Sequence, residues 1–261
     1  MADFAQTGWI KFPYEASVAG WADHVLDRAR LVAKDPVHCA NWLRSGGTWF
    51  VGADSLGNDA QGRVNGSDPL TGQGADFCIS QMRGIDDWGV GQISICYPNY
   101  PLQDADEPDA SFRYRLKRDT AHLDGLKPIG ADKRRFYQEF HGVILGIPLS
   151  DTPPNAAPFV IWEGSHLIFQ DMLKQAFDGL HPDVWADQDL TEVYQETRAR
   201  IFETCERVEI TAKKGECYVA HRLALHGMGP WQASAEHSER AIAYLRPYWR
   251  GDDLLNWLHG P

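Results

Sequence analysis

The sequence predicts a mainly β fold, an antiparallel barrel or double sheet with helices against its outer face. Three observations carry this: about eight short β-prone runs, few helical patterns between them, and one long amphipathic helix near the start that needs a flat surface to lie on. The runs are 48–51, 92–97, 112–122, 142–149, 159–162, 208–212, 216–221 and 241–248, rich in β-branched and aromatic residues and set apart by turn residues. The early helix follows from Val18, Trp21, Ala22, Val25, Ala29 and Val32, spaced by three and four residues, capped by Ser17 and stopped at Asp35-Pro36. Two later helical patterns cover 166–177, ended by Gly179, and 188–204, where Leu190, Val193, Tyr194 and Ile201 form a stripe. Lys213-Lys214-Gly215 has hairpin-turn chemistry, so the last third is expected to be a run of adjacent antiparallel strands.

With 261 residues, 43% of them hydrophobic, the chain has enough material for a core, and the expectation is a single domain over 1–261. The formal charge of −11 argues against nucleic acid as a partner, because phosphate binding needs a broad basic surface. Apolar stretches such as 143–149 are far too short to span a bilayer, and no leader pattern opens the chain. Cys39, Cys78, Cys96, Cys205 and Cys217 are scattered and form no Cys-x-x-Cys pair, which points to a reducing, cytoplasmic compartment.

The chemistry centres on histidine and carboxylate. In a strand, His-x-Asp puts both side chains on one face, which is half of a two-histidine, one-carboxylate metal site. The pattern is weak alone, since 10 His in a chain with 36 acidic residues produce it by chance roughly once or twice. His181–Asp183 falls in a Pro-containing turn, and His237–Glu239 in a polar turn before the last strand; both read as structural. His122-Leu123-Asp124-Gly125 differs: it ends a long predicted strand, and Gly125 lets the chain turn at once. For the third ligand, His221 lies inside the apolar run 218–225, whereas His226 precedes the turn Gly227-Met228-Gly229-Pro230, so His226 is assigned to the metal and His221 to packing or support. Alternation in 240–245 places Arg240, Ile242 and Tyr244 on one face, so a charged group heads an apolar interior stripe. Such an arginine needs an anion, and a guanidinium grips a carboxylate through two parallel hydrogen bonds. Its bland alternative is a surface pair with Glu236 or Glu239.

Taken in order, His122-Leu123-Asp124, Trp162-Glu163-Gly164-Ser165-His166, His226-Gly227-Met228-Gly229-Pro230 and Arg240-Ala241-Ile242 resemble the phytanoyl-CoA dioxygenase family of Fe(II)- and 2-oxoglutarate-dependent oxygenases. The resemblance runs from about residue 90 to 250. It implies a double-stranded β-helix (jelly roll, cupin-like barrel), with His122, Asp124 and His226 holding Fe(II) and Arg240 holding the far carboxylate of 2-oxoglutarate. The implied reaction consumes dioxygen and 2-oxoglutarate and hydroxylates a C–H bond of a small molecule. Met228 departs from the pattern, since many family members carry a hydroxyl residue there and a thioether donates no hydrogen bond. Eight basic residues between 111 and 135 (Arg113, Arg115, Lys117, Arg118, Lys127, Lys133, Arg134, Arg135) would favour an anionic substrate if they ring the site. Two rival readings are a cupin-like metalloprotein with the same ligands and no 2-oxoglutarate, and a binding protein that kept only the barrel.

Overall fold

The computed structural model describes residues 4–234, 237–249 and 254–260. Its twelve strands are β1 (Trp9–Phe12), β2 (Leu43–Arg44), β3 (Trp49–Phe50), β4 (Gln92–Cys96), β5 (Leu126–Ile129), β6 (Arg134–Tyr137), β7 (Val143–Pro148), β8 (Phe159–Trp162), β9 (Arg207–Ile210), β10 (Cys217–His221), β11 (His226–Met228) and β12 (Arg240–Leu245). A seven-stranded sheet runs β1-β10-β7-β12-β4-β3-β2, a three-stranded sheet runs β11-β8-β9, and β5-β6 form a separate hairpin. All pairings are antiparallel. From β7 onward the chain alternates between the two larger sheets: β7 in the large one, β8 and β9 in the small one, then β10 large, β11 small and β12 large. That path is the double-stranded β-helix.

Strand alternation decides what each face meets. Leu145 and Ile147 of β7, Cys217 and Val219 of β10, and Ala241, Ala243 and Leu245 of β12 pack outward against Val18, Trp21, Ala22, Val25, Ala29 and Val32. These last are the apolar stripe of the helix Ala16–Val32, which covers the large sheet as expected. The alternate residues Ile144, Tyr218, Ala220, Ile242 and Tyr244 face the small sheet, where Phe159, Ile161 and Ile210 meet them. A further core joins the helices Ser165–Ala176, Thr191–Thr204 and Leu254–His259 around Trp162, Phe169, Leu173, Ile201 and Trp257.

Several expectations change. The segment 112–122 is not a strand: it holds the helix Asp109–Lys117, with Asp109 in its first turn and Arg115 and Lys117 in its last, charges that suit the helix dipole. None of its residues is buried, so the apparent alternation reflected no buried face. The Lys213-Lys214-Gly215 turn joins no hairpin, because β9 pairs with β8 while β10 pairs with β7 and β1. The turn instead carries the chain from one sheet to the other, which also removes the expected run of neighbouring strands. Ser17 lies inside its helix rather than capping it; Glu15 holds the cap position, and its carboxylate accepts from Gln73 N at 2.8 Å. The first helix ends at Val32 with Ala33 in its cap position, and Asp35 caps the next, Pro36–Trp42, accepting from Val37 N and His38 N. The five cysteines are free thiols, and among the described residues no helix is long and apolar enough to cross a membrane.

Candidate metal centre

His226 opens β11, and His122 stands alone opposite it. His122 N donates to His226 O at 2.8 Å and His226 N returns the bond to His122 O at 3.2 Å, a single antiparallel bridge beside the small sheet. Met228 N donates to Asp119 O at 2.8 Å, locking the neighbouring turn. This approach is possible because residue 227 is glycine: a Cβ there would overlap Asp119 O and press on Ala121. The expected strand before His122 is thus replaced by one bridge, yet Leu123 is buried and Gly125 turns the chain at φ +79°.

These elements bring the three predicted ligands together. One donor atom from each of His122, Asp124 and His226 lies within 4.8 Å of the others. Asp124 Oδ1 is 3.3 Å from His122 Nε2 and 3.6 Å from His226 Nε2. His122 Nδ1 sits 3.0 Å from Thr120 O, and His226 Nδ1 sits 2.9 Å from Ala224 O. A carbonyl only accepts, so each Nδ1 carries its proton and each Nε2 turns a lone pair inward. Three Lewis bases then converge on one point, an arrangement that a cation relieves. A first-row metal about 2.1 Å from each donor puts adjacent donors about 3 Å apart, and the two separations from Asp124 lie near that value. Phe159 stacks on His226 with ring centroids 5.3 Å apart, fixing the imidazole plane.

The electrostatics favour the ligating forms. Burial pushes the Asp124 carboxyl up, but the Arg246 guanidinium leads the interactions that outweigh it and hold the group well below the usual carboxylate range. Burial lowers the His226 pKa, with Asp124 opposing, so the ring is held neutral. Arg246 Nε lies 2.6 Å from Asp124 Oδ2. Sequence reasoning missed this residue, although the signal was present: Arg246 continues the alternation of Arg240, Ile242 and Tyr244 by one more step.

The ligands open onto a cavity of about 400 Å³ whose walls include Trp49, Phe159, Tyr244, Tyr248, Lys127 and Glu139. Of the eight basic residues between 111 and 135, only Lys127 reaches this wall, and it pairs with Glu139 at 2.8 Å. Arg115 pairs with Glu107 at 2.6 Å, and Arg134 pairs with Asp189. The expected positive rim therefore does not form; the wall carries mixed charge.

Arg240 is 5% exposed and points inward as the alternation requires. Among the described residues no carboxylate pairs with it: Glu239 is taken by Arg30 at 2.7 Å, and Glu236 lies outside the described residues. Its Nη1 lies 3.6 Å from Met228 Sδ, which is 3.0 Å from Cys96 Sγ. Met228 and Tyr244 both line the metal-side cavity and both touch Arg240, so the guanidinium stands one side chain behind the wall. His221 does not join the ligands; its Nδ1 accepts from Leu223 N at 3.1 Å and its ring packs on His166 at 4.7 Å. His166 in turn hydrogen-bonds Ala5 O at 3.1 Å, a structural tie to the N-terminal segment.

No family model and no curated protein matches the chain. Several solved structures follow a similar course over most of its length. The epimerase SnoN in complex with Fe3+, alpha ketoglutarate and nogalamycin RO aligns at 15% identity and TM-score 0.49, over 98% of this chain and 86% of that one. The non-heme alpha ketoglutarate dependent carbocyclase SnoK from nogalamycin biosynthesis aligns at 12% and 0.48, over 97% and 87%. EctD from S. alaskensis with bound Fe aligns at 14% and 0.44, over 95% and 74%.

Proposed function

We propose that this protein is an Fe(II)- and 2-oxoglutarate-dependent dioxygenase of the phytanoyl-CoA dioxygenase-like kind, acting on a small molecule. The observation that carries the reading is a convergent His122, Asp124, His226 donor set beside a buried Arg240 that has no carboxylate partner among the described residues. Two histidines and one carboxylate would hold the ion and leave positions for other ligands, which is the donor set that dioxygen chemistry on non-haem iron uses. A buried guanidinium without a countercharge is costly, and a dicarboxylate with one end at the metal offers it one. Dioxygen would be the oxidant, and iron with the keto acid would activate it when bound; the chain's own residues do the rest. His122 and His226 would hold the metal through Nε2 with their Nδ1 protons fixed on carbonyls, and Arg246 steadies Asp124. Phe159, Tyr244 and the strands behind them exclude water from the inner wall. The mixed wall of Lys127, Glu139, Tyr248 and Trp49 is where the substrate would be selected.

A second reading keeps the metal and drops 2-oxoglutarate: a cupin-like metalloprotein. It draws on Met228, whose thioether touches Arg240 and lines the cavity, so that the guanidinium is partly covered. The deciding experiment adds Fe(II) and then 2-oxoglutarate to metal-free protein without oxygen and follows the visible charge-transfer band of a chelated keto acid. The oxygenase reading expects a band in wild type, none in Asp124→Ala for want of iron, and a weakened one in Arg240→Ala that retains its iron. Iron bound at one equivalent with no band at any 2-oxoglutarate concentration would overturn it in favour of the second reading.

A further inference from the structure

Met228 carries a chemistry that the metal centre does not use. It follows His226 by two residues on β11, so strand alternation turns both side chains the same way, and both line the metal-side cavity. A thioether sulfur gives an electron pair to a peroxide and becomes a sulfoxide, which turns a weak acceptor into a strongly polar one. Among the described residues Met228 is the methionine that lines this cavity. Met172 is similarly enclosed, at 6% exposed against 8% for Met228, but it belongs to the helical core that holds Phe169 and Trp257.

Two donors stand at the sulfur. Arg240 Nη1 lies 3.6 Å from Met228 Sδ, and Cys96 Sγ lies 3.0 Å from it. Burial pushes the Cys96 thiol up to about 12, so it keeps its proton and donates toward Met228. The same burial keeps Cys96 from reacting first, because the thiolate and not the thiol is the nucleophile. When peroxide delivers an oxygen atom, a lone pair of the Met228 sulfur forms the S–O bond and the O–O bond breaks. The departing hydroxide takes the proton that the transferred oxygen carried and leaves as water, so sulfur loses the two electrons that peroxide gains. A guanidinium beside the sulfur favours this step, since negative charge builds on the peroxide oxygens as it proceeds. The product sets a strong acceptor against a buried cation that has no carboxylate partner among the described residues.

We propose that Met228 is an oxidation site through which peroxide closes the anion position at Arg240. The sulfoxide oxygen accepts from the Arg240 guanidinium and takes hydrogen bonds that a bound carboxylate would otherwise receive. This effect rests on the oxygenase reading, in which that carboxylate is the far end of 2-oxoglutarate; the oxidation itself requires only the cavity and the thioether. The metal ligands are not altered, so oxidised protein still takes up iron.

The test treats metal-free wild type with hydrogen peroxide in chelator, removes the excess, and then adds Fe(II) without oxygen. Peptide mass spectrometry reads the gain of one oxygen atom at each methionine. The visible charge-transfer band reads dissociation constants for 2-oxoglutarate and for pyruvate, which chelates in the same way but has no far carboxylate. Met228 should oxidise several times faster than Met172. The 2-oxoglutarate constant should then rise about tenfold to a hundredfold, the range for losing one hydrogen bond to a charged group, with iron content and the pyruvate constant unchanged. In Met228→Leu, peroxide should leave the 2-oxoglutarate constant at its value before treatment. Oxidation of Met228 no faster than that of Met172 would overturn the site, and an oxidised Met228 with an unmoved 2-oxoglutarate constant would overturn its effect; both leave the oxygenase reading standing. A rise in both constants, or a peroxide response that persists in Met228→Leu, would also overturn it, since the damage then lies elsewhere. Should untreated wild type bind neither keto acid with iron in place, the oxygenase reading falls and the closing of the anion position falls with it, while the mass spectra still decide the oxidation of Met228.

Discussion

Replacing Arg246 with alanine tests the electrostatics of the metal centre before any metal is added. The Asp124 side chain is 12% exposed and that of Arg246 is 21% exposed, and their charged atoms approach to 2.6 Å. Truncating one partner leaves a carboxylate in a site with little water. Breaking a buried pair in this way costs about 3–5 kcal/mol, and the partial exposure of Arg246 places the expected loss near the lower end, about 3 kcal/mol. For a chain of this size about 1 kcal/mol moves the melting temperature by about 2–4 °C, so the metal-free variant should melt about 6–12 °C below wild type. A divalent cation at Asp124 supplies the missing countercharge. Saturating Co(II) should therefore raise the melting temperature of Arg246→Ala by several degrees more than it raises that of wild type. The assay is thermal unfolding followed by circular dichroism, in chelator and in excess Co(II), with Asp124→Asn and the double variant completing the cycle. Additive losses in that cycle, or a metal-free Arg246→Ala as stable as wild type, would refute the pairing as an energetic feature.

Other expectations follow from the same geometry. His221 is held well below its ordinary pKa of 6.5 by burial first, then by Arg222 and His166, and His166 is lowered by burial as well. The unfolded chain then binds protons that the folded chain refuses, so this stability is complete above about pH 6.5 and is lost as pH falls below it. Urea midpoints should drop more steeply between about pH 6.5 and 5 in wild type than in His221→Gln, and parallel curves would refute the assignment. Gly227→Ala should push the 119–121 backbone away from β11 and part His122 from His226, abolishing Co(II) binding in a titration while costing about 1–3 kcal/mol of stability. Gly146→Val should crowd the Tyr218 ring and cost about 1–3 kcal/mol of stability, read as a lower urea midpoint.

The strand pattern, the helix Ala16–Val32 and the inward stripe of β12 were all readable in the sequence, because each depends on a local period that a short window contains. His122, Asp124, His226 and Arg240 were singled out by residue type and by their order along the chain, and the structure brings the first three together. Alternation states which way a side chain faces, however, and not what it will face. The segment 112–122 shows the limit, since polar and apolar residues alternate there on a surface helix with no buried face. The sheet assignments of β9 and β10 show it again, because the turn between them has hairpin residues whichever sheet receives the next strand. Only the tertiary structure decided that one bridge, not a strand, sets His122 against His226, that Arg246 is the partner of Asp124, and that Tyr218, Tyr244 and Met228 enclose Arg240. Those are contacts between residues far apart in sequence, chosen by how two sheets stack and by which glycine lets two backbones meet, and neither choice leaves a period in the chain.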